Sequence, residues 1–205
     1  MAASPRPLSP AATAVVIAAL GFAVGLAGDA CHVASGTTHY DWDGVPAIWR
    51  SAIWFPVLVA GAVLAAAWLA ERQSAKLPPV RRRTRGDVIA GAAAVLALYA
   101  LTAALKREPE TVSVTLTGAI AVLIWRWWDP STGALVVALA AAAAGPLVEI
   151  GVVAAGAASY AGDSDGLAGV PLWLPCLYFA AGAVASRLWS AVAGAPTGSR
   201  TPVRT

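Results

Sequence analysis

Long apolar runs free of charge, separated by short polar connections, recur along this chain: 11–28, 51–70, 88–105, 111–125, 133–148 and 166–186. Each approaches or reaches the roughly 20 residues that an α-helix needs to cross a hydrocarbon core of about 30 Å. The pattern predicts an all-α, polytopic membrane protein, a bundle of six transmembrane helices. The fourth and fifth runs are short, so those helices must extend past Arg126 and past Glu149. An arginine there can snorkel to the headgroups, whereas a glutamate cannot do so easily. The expected spans are 11–31, 47–70, 88–105, 111–128, 133–158 and 166–189, forming one membrane domain over 11–193. The tails 1–10 and 194–205 are rich in Pro, Ser, Thr and Ala and have no apolar period to bury, so they are expected to be disordered. The first run resembles a signal peptide, but Asp29 two residues before Cys31 fits neither a lipobox nor a small-residue cleavage site. It is read as a retained helix.

Composition sharpens this. Hydrophobic residues make up 59% of the chain and charged residues 12%, about half the charge of an average soluble domain, which argues against a soluble cytosolic enzyme. The net charge of +3 would suit a nucleic-acid partner if it lay along a polar face, but it sits beside the apolar runs, so none is expected. Placing both termini in the cytoplasm puts eleven basic residues inside, among them Arg72, Lys76, Arg81, Arg82, Arg83, Arg85, Arg126 and Arg187. It leaves Arg50, Lys106 and Arg107 outside, an asymmetry that sets the orientation. The outer loops then collect Asp41, Asp43, Glu108, Glu110, Asp163 and Asp165, and Trp42, Trp49, Trp68, Trp127, Trp128 and Trp189 fall near span ends, as interfacial anchors do. The basic run 81–85 reads as an orientation signal lying on anionic lipid, or else as a docking site for a partner. Cys31 and Cys176 have no metal-ligand or disulfide spacing and read as apolar packing.

Two acids lack a topological explanation. Asp29 and Glu149 lie about 27 Å and 24 Å along their helices at ~1.5 Å per residue, toward the outer side. His32 shares a helix face with Asp29 at i+3, which makes a hydrogen bond between them geometrically easy. Intramembrane acids must be neutral, paired or in a wet cavity. The three residues therefore read as a structural polar cluster, as a proton pathway of a small proton-coupled transporter, or as a metal or catalytic site. No HExxH, GxSxG, Walker loop or GxGxxG sits on a suitable element, so no enzyme and no metal are expected. Trp54-Phe55-Pro56-Val57-Leu58 and Trp173-Leu174-Pro175-Cys176-Leu177 resemble each other, and each is followed by Ala-Gly-Ala-Val. Helix pairs one-two and five-six therefore look like a parallel repeat. Pro56, Pro146 and Pro175 start or kink helices, and such kinks can splay a bundle enough to admit an amphiphile. On the inner side, Asp129 or Ser131 can cap the fifth helix in the turn Trp125-Arg126-Trp127-Trp128-Asp129-Pro130-Ser131-Thr132-Gly133.

Several of these motifs resemble the Insig family. Ser51-Ala52-Ile53-Trp54-Phe55-Pro56 looks like the start of the family's second span, Trp125 to Gly133 is similar to its Trp-Trp-x-x-Asp-x-Ser turn, and Trp173-Leu174-Pro175-Cys176 is identical to its Trp-Leu-Pro-Cys motif. The resemblance implies six membrane helices with cytoplasmic termini, in the endoplasmic reticulum for eukaryotic relatives and in the plasma membrane for a bacterial homologue. Animal members bind oxysterols and regulate partners that carry sterol-sensing domains. Their partner-binding aspartate aligns with Asp129, and a tryptophan associated with sterol response aligns with Trp125.

The expected function is an Insig-like sensor or regulator holding a neutral amphiphilic lipid, sterol-like or diacylglycerol-like, within the bundle. Apolar walls with few polar groups are typical of lipid sites. The candidate contacts are Trp54, Trp125, Asp129, Trp173 and Glu149, with Asp129 also the candidate for a membrane-protein partner. No cofactor beyond bound lipid is expected, and small-residue helix faces favour a homo-oligomer.

Overall fold

The computed structural model describes residues 7–40, 46–74, 83–161 and 166–194. Most of both tails, Lys76, Arg81 and Arg82 of the basic loop, Trp42, and the acids Asp41, Asp43, Asp163 and Asp165 lie outside the described residues.

Among the described residues, seven α-helices carry the fold: α1 Pro10–Ser35, α2 Trp54–Ser74, α3 Arg85–Ala104, α4 Glu110–Trp128, α5 Thr132–Ala154, α6 Leu174–Ala185 and α7 Leu188–Ala193. Their ends follow local chemistry. The Ser9 side chain accepts from the Ala12 amide ahead of Pro10, and α1 stops at Gly36, whose φ of 72° suits a residue without Cβ. Thr84 and Asp87 form a capping box at the start of α3. Ser131 caps α5, as the turn sequence implied.

Among the described residues, five helices, α1 to α5, are long and apolar enough to cross a membrane. Their outer faces stay greasy: Val15, Ile89, Leu123 and Leu147 are each more than 60% exposed, a surface suited to lipid. The sixth segment differs from one continuous helix over 166–189. Residues 166–173 run as turns with a bridge between Leu167 and Val170, α6 has twelve residues, and the chain breaks at Ser186 and Arg187 before α7. The reason is position. α6 packs against α2, α3, α4 and α5, and a segment sheathed in protein can carry irregular backbone that lipid would not tolerate.

Small residues set the helix spacing. A Cβ on Gly182 of α6 would come within 2.6 Å of the Ala141 methyl and 2.9 Å of the Val137 carbonyl, so the α5–α6 contact depends on its hydrogen. The most extensive helix contacts are α5 with α6 and α1 with α2, the two pairs that the Trp-x-Pro repeat marks. Among the described residues, two short antiparallel ladders close one end of the bundle. In the first, β1 Thr38–His39 pairs with β4 Ser159–Tyr160, bringing the segment after α1 against the segment after α5. In the second, β2 Ala47–Ile48 pairs with β3 Ser51–Ala52 through Trp49 and Arg50, both at positive φ.

Candidate lipid-binding site

Two buried polar clusters lie toward opposite ends of α5. Glu149 is eighteen residues beyond Ser131, about 27 Å of helix.

At the Glu149 end, tyrosines supply the partners. Asp29 is 2% exposed and accepts from the Tyr40 hydroxyl at 2.7 Å. Glu149 accepts from two: the Tyr178 hydroxyl at 2.8 Å on Oε1 and the Tyr160 hydroxyl at 3.2 Å on Oε2. The β1–β4 ladder pairs Thr38 with Tyr160, so the ladder positions both Tyr160 and the nearby Tyr40 over the helix ends. Burial, reinforced by the Asp29 carboxylate for Tyr40 and by Glu149 for Tyr160, pushes both phenols above their ordinary range and keeps them as donors. His32 does not pair with Asp29. Its Nε2 lies 2.8 Å from the Thr102 hydroxyl. The Thr102 hydroxyl also lies within hydrogen-bonding distance of the Leu98 and Tyr99 carbonyls, at 3.1 Å and 2.9 Å. The imidazole packs between Tyr99 and Trp173, with ring centroids 5.1 Å and 5.3 Å away.

At the other end, Asp129 is 1% exposed. Oδ2 accepts from Arg187 Nε at 2.5 Å and Oδ1 from the Ser131 amide at 3.0 Å. Arg83 donates to the Trp127 and Trp128 carbonyls and lies 3.5 Å from Asp87. These bonds join the start of α3, the α4–α5 turn and the α6–α7 break.

Between the two ends, α2 and α5 enclose an open groove of about 340 Å³. Leu58, Ala62, Ala66, Leu69 and Gln73 line it from α2, a stripe at three- and four-residue steps that keeps one helix face turned to the groove. α5 contributes Val136, Val137, Ala140, Ala144 and Val148 among others, and Tyr178 of α6 closes the back. Toward the Glu149 end, a second space of about 390 Å³, lined by Trp54, Val148, Gly151 and Val152, adjoins it through Val148. Toward the other end, Gln73 and Val137 also border a recess of about 10 Å³ beside Asp129 and Arg187, room for about one water. Among the described residues, the lining of the groove itself is uncharged and, apart from Gln73 and Tyr178, apolar.

The structure therefore sorts the candidates. Trp54 lines the extension of the groove, and its indole N–H is buried with no acceptor among the described residues. Glu149 lies directly behind the groove through Tyr178. Asp129 borders the small recess and is held by Arg187. Trp125 and Trp173 stand apart from the groove: Trp173 is buried in the core against His32, and Trp125 lies at the end of α4 with Arg126 over its ring at 6.0 Å. Tyr178, Tyr40, Gln73 and Arg187 were not singled out from the sequence as site residues. A hydroxyl two residues beyond the Trp-Leu-Pro-Cys motif was the available signal for Tyr178. The Ala62/Ala66 and Ala140/Ala144 steps were the signal for the walls.

Comparison with known proteins agrees with this architecture. No family model matches the chain. It is 40% identical over 175 residues, 85% of this chain and 84% of the relative, to an INSIG protein homolog of Mycolicibacterium vanbaalenii. The crystal structure of MvINS, a mycobacterial Insig homolog from Mycobacterium vanbaalenii, superposes with a TM-score of 0.83 at 38% identity, covering 90% of this chain and 96% of that one. A cross-linked MvINS trimer matches equally well. With this identity, this coverage and a shared helical membrane architecture, the chain belongs to the Insig family.

Proposed function

We propose that this protein is a non-enzymatic lipid sensor or regulator that holds one neutral amphiphile, sterol-like or diacylglycerol-like, in the groove between α2 and α5. The observation that carries this reading is the groove itself: about 340 Å³ of alanine- and valine-lined space with no charged side chain among the described residues on its walls. A charged headgroup would find no counter-ion there, whereas acyl chains or a ring system would bury apolar area against both helices. The protein lies in the plasma membrane with both termini in the cytoplasm, as its arginine distribution favours. It associates with copies of itself, a reading supported by the cross-linked MvINS trimer. A membrane-protein partner would meet the Asp129 end.

The carrier reading finds less support. Asp29 and Glu149 are each bonded to tyrosine, and His32 faces Thr102 rather than Asp29.

Mass spectrometry of lipid carried through purification tests the proposal. One neutral lipid class at near-stoichiometric amount is expected, and a bulk-membrane lipid profile would sink it.

A further inference from the structure

The bundle end that carries Asp129 is its cationic end. Among the described residues it holds Arg72, Arg83, Arg85, Arg126 and Arg187 against Glu71, Asp87 and Asp129. Hydrogen bonds tie these helix ends together: the Leu8 amide donates to the Ala193 carbonyl at 2.9 Å, Arg85 Nε to the Val192 carbonyl at 3.3 Å, and Arg83 to the Trp127 and Trp128 carbonyls. Two of the arginines are consumed by the fold. Arg187 is bound to Asp129, and the buried Arg83 lies 3.5 Å from Asp87. The other three, Arg72, Arg85 and Arg126, are exposed, and no carboxylate among the described residues pairs with them.

Their surroundings indicate the anion they suit. The Arg72 guanidinium lies 4.0 Å over the Trp68 ring and that of Arg126 lies 6.0 Å from the Trp125 ring. A guanidinium resting on an indole keeps its edge N–H groups available, and that edge matches a phosphate in a bidentate way. Arg85 spends only Nε, on the Val192 carbonyl. Each of the three also stands one helical turn from an exposed large apolar side chain: Leu69 for Arg72, Ile89 for Arg85 and Leu123 for Arg126, which are 49%, 72% and 65% exposed. A cation directly above an apolar wall fits a molecule with an anionic head and apolar tails. A soluble anion or a nucleic acid would leave the wall uncovered.

We propose that Arg72, Arg85 and Arg126 hold the phosphates of anionic phospholipids whose acyl chains lie along Leu69, Ile89 and Leu123, so that this end of the bundle gathers anionic lipid in preference to zwitterionic lipid. A phosphocholine head carries its own ammonium group, which cancels the charge of its phosphate and is repelled by the arginines. The site is on the outer wall of the bundle and does not depend on the reading of the α2–α5 groove.

Native mass spectrometry of the full chain in detergent, given an equimolar mixture of dioleoylphosphatidylglycerol and dioleoylphosphatidylcholine, tests this. Retained phosphatidylglycerol is expected to exceed phosphatidylcholine about fivefold for each arginine engaged. Arg72→Gln, Arg85→Gln and Arg126→Gln combined should bring the two lipids to near equality, and the matching triple change to Lys should keep most of the preference. Arg50→Gln with Arg107→Gln, which removes exposed arginines of the opposite end, should leave it unchanged. Equal retention of the two lipids by the wild-type protein overturns the proposal, as does a preference that survives the triple Gln change or falls equally with the Arg50 and Arg107 pair. Should the triple Gln variant not stay monodisperse, the three single Gln variants are compared instead: each should lose part of the preference, and no loss in any of them overturns the assignment. Co-purifying neutral lipid is expected to be the same in the triple variant as in the wild type, which keeps this outcome distinct from the fate of the groove.

Discussion

Arg187 donates from Nε to Oδ2 of Asp129 across 2.5 Å, and this bond ties the break between α6 and α7 to the α4–α5 turn. The aspartate is almost wholly buried and the arginine side chain largely so. Asp129 also accepts the Ser131 amide, ordering the turn whose Ser131 side chain caps α5. The residue that the family resemblance marks for partner contact is therefore a structural junction in this protein, and any partner meets a surface that it organises.

Removing one member of a buried ion pair strands the other. Asp129→Ala is expected to cost about 3–5 kcal/mol, seen as a lowered unfolding temperature in detergent and loss of a monodisperse peak. Asp129→Ala combined with Arg187→Leu should recover part of that loss. A fully stable, monodisperse single mutant would show that the pair is dispensable and free for partner binding.

Glycines in the bundle are not equivalent. A Cβ on Gly145 would lie 2.3 Å from the Tyr178 ring, whereas one on Gly61 meets nothing within 4 Å. Gly145→Ala should destabilise by about 1–3 kcal/mol through overpacking. Gly61→Ala should be neutral or stabilising by up to about 1 kcal/mol through helix propensity. Thermal unfolding of the two variants side by side checks the order, and a reversed ranking would contradict the α5–α6 contact described.

Ala62 and Ala144 face each other's helices across the groove and are themselves exposed. Ala62→Phe with Ala144→Phe should fill the space and remove most co-purifying neutral lipid while the protein stays folded, because no close-packed neighbour has to move. Unchanged lipid content in a folded double variant would place the ligand elsewhere.

The two buried acids should respond differently to loss of a phenol. Tyr160→Phe leaves Glu149 with its shorter bond to Tyr178, but Tyr40→Phe removes the tyrosine donor of Asp29. Tyr40→Phe is expected to cost about 1–3 kcal/mol, the penalty of a buried acceptor left short of a partner, and Tyr160→Phe less. Equal effects in chemical or thermal unfolding would argue that Asp29 is satisfied by other groups.

Much of this arrangement was legible along the chain. Charge-free runs located α1 to α5, because a helix crossing lipid needs an unbroken apolar surface and polar connections. Ser131 was readable as a cap, since capping depends on residues three apart in sequence. The isolated acids Asp29 and Glu149 announced polar clusters because intramembrane charge demands a partner. Their partners were not legible. Tyr40 reaches Asp29 and Tyr178 reaches Glu149 across 11 and 29 residues, through a ladder and a helix pairing that no local pattern encodes. The i+3 spacing of Asp29 and His32 suggested a bond that the fold does not make, because Thr102 of α3 lies closer to the imidazole than any requirement of the α1 surface could foretell.

By itself, then, the sequence determined that the chain is helical and membrane-embedded, where most helices start and stop, and which side chains are too polar to be left alone, since all of these follow from hydration and backbone hydrogen bonding over short stretches. Only the tertiary structure decided that the sixth segment is broken and central, that Asp129 is locked to Arg187, and that the open space lies between α2 and α5 with Tyr178 at its back. Those outcomes depend on which small faces pack and which stay apart, a property of pairs of helices distant along the chain.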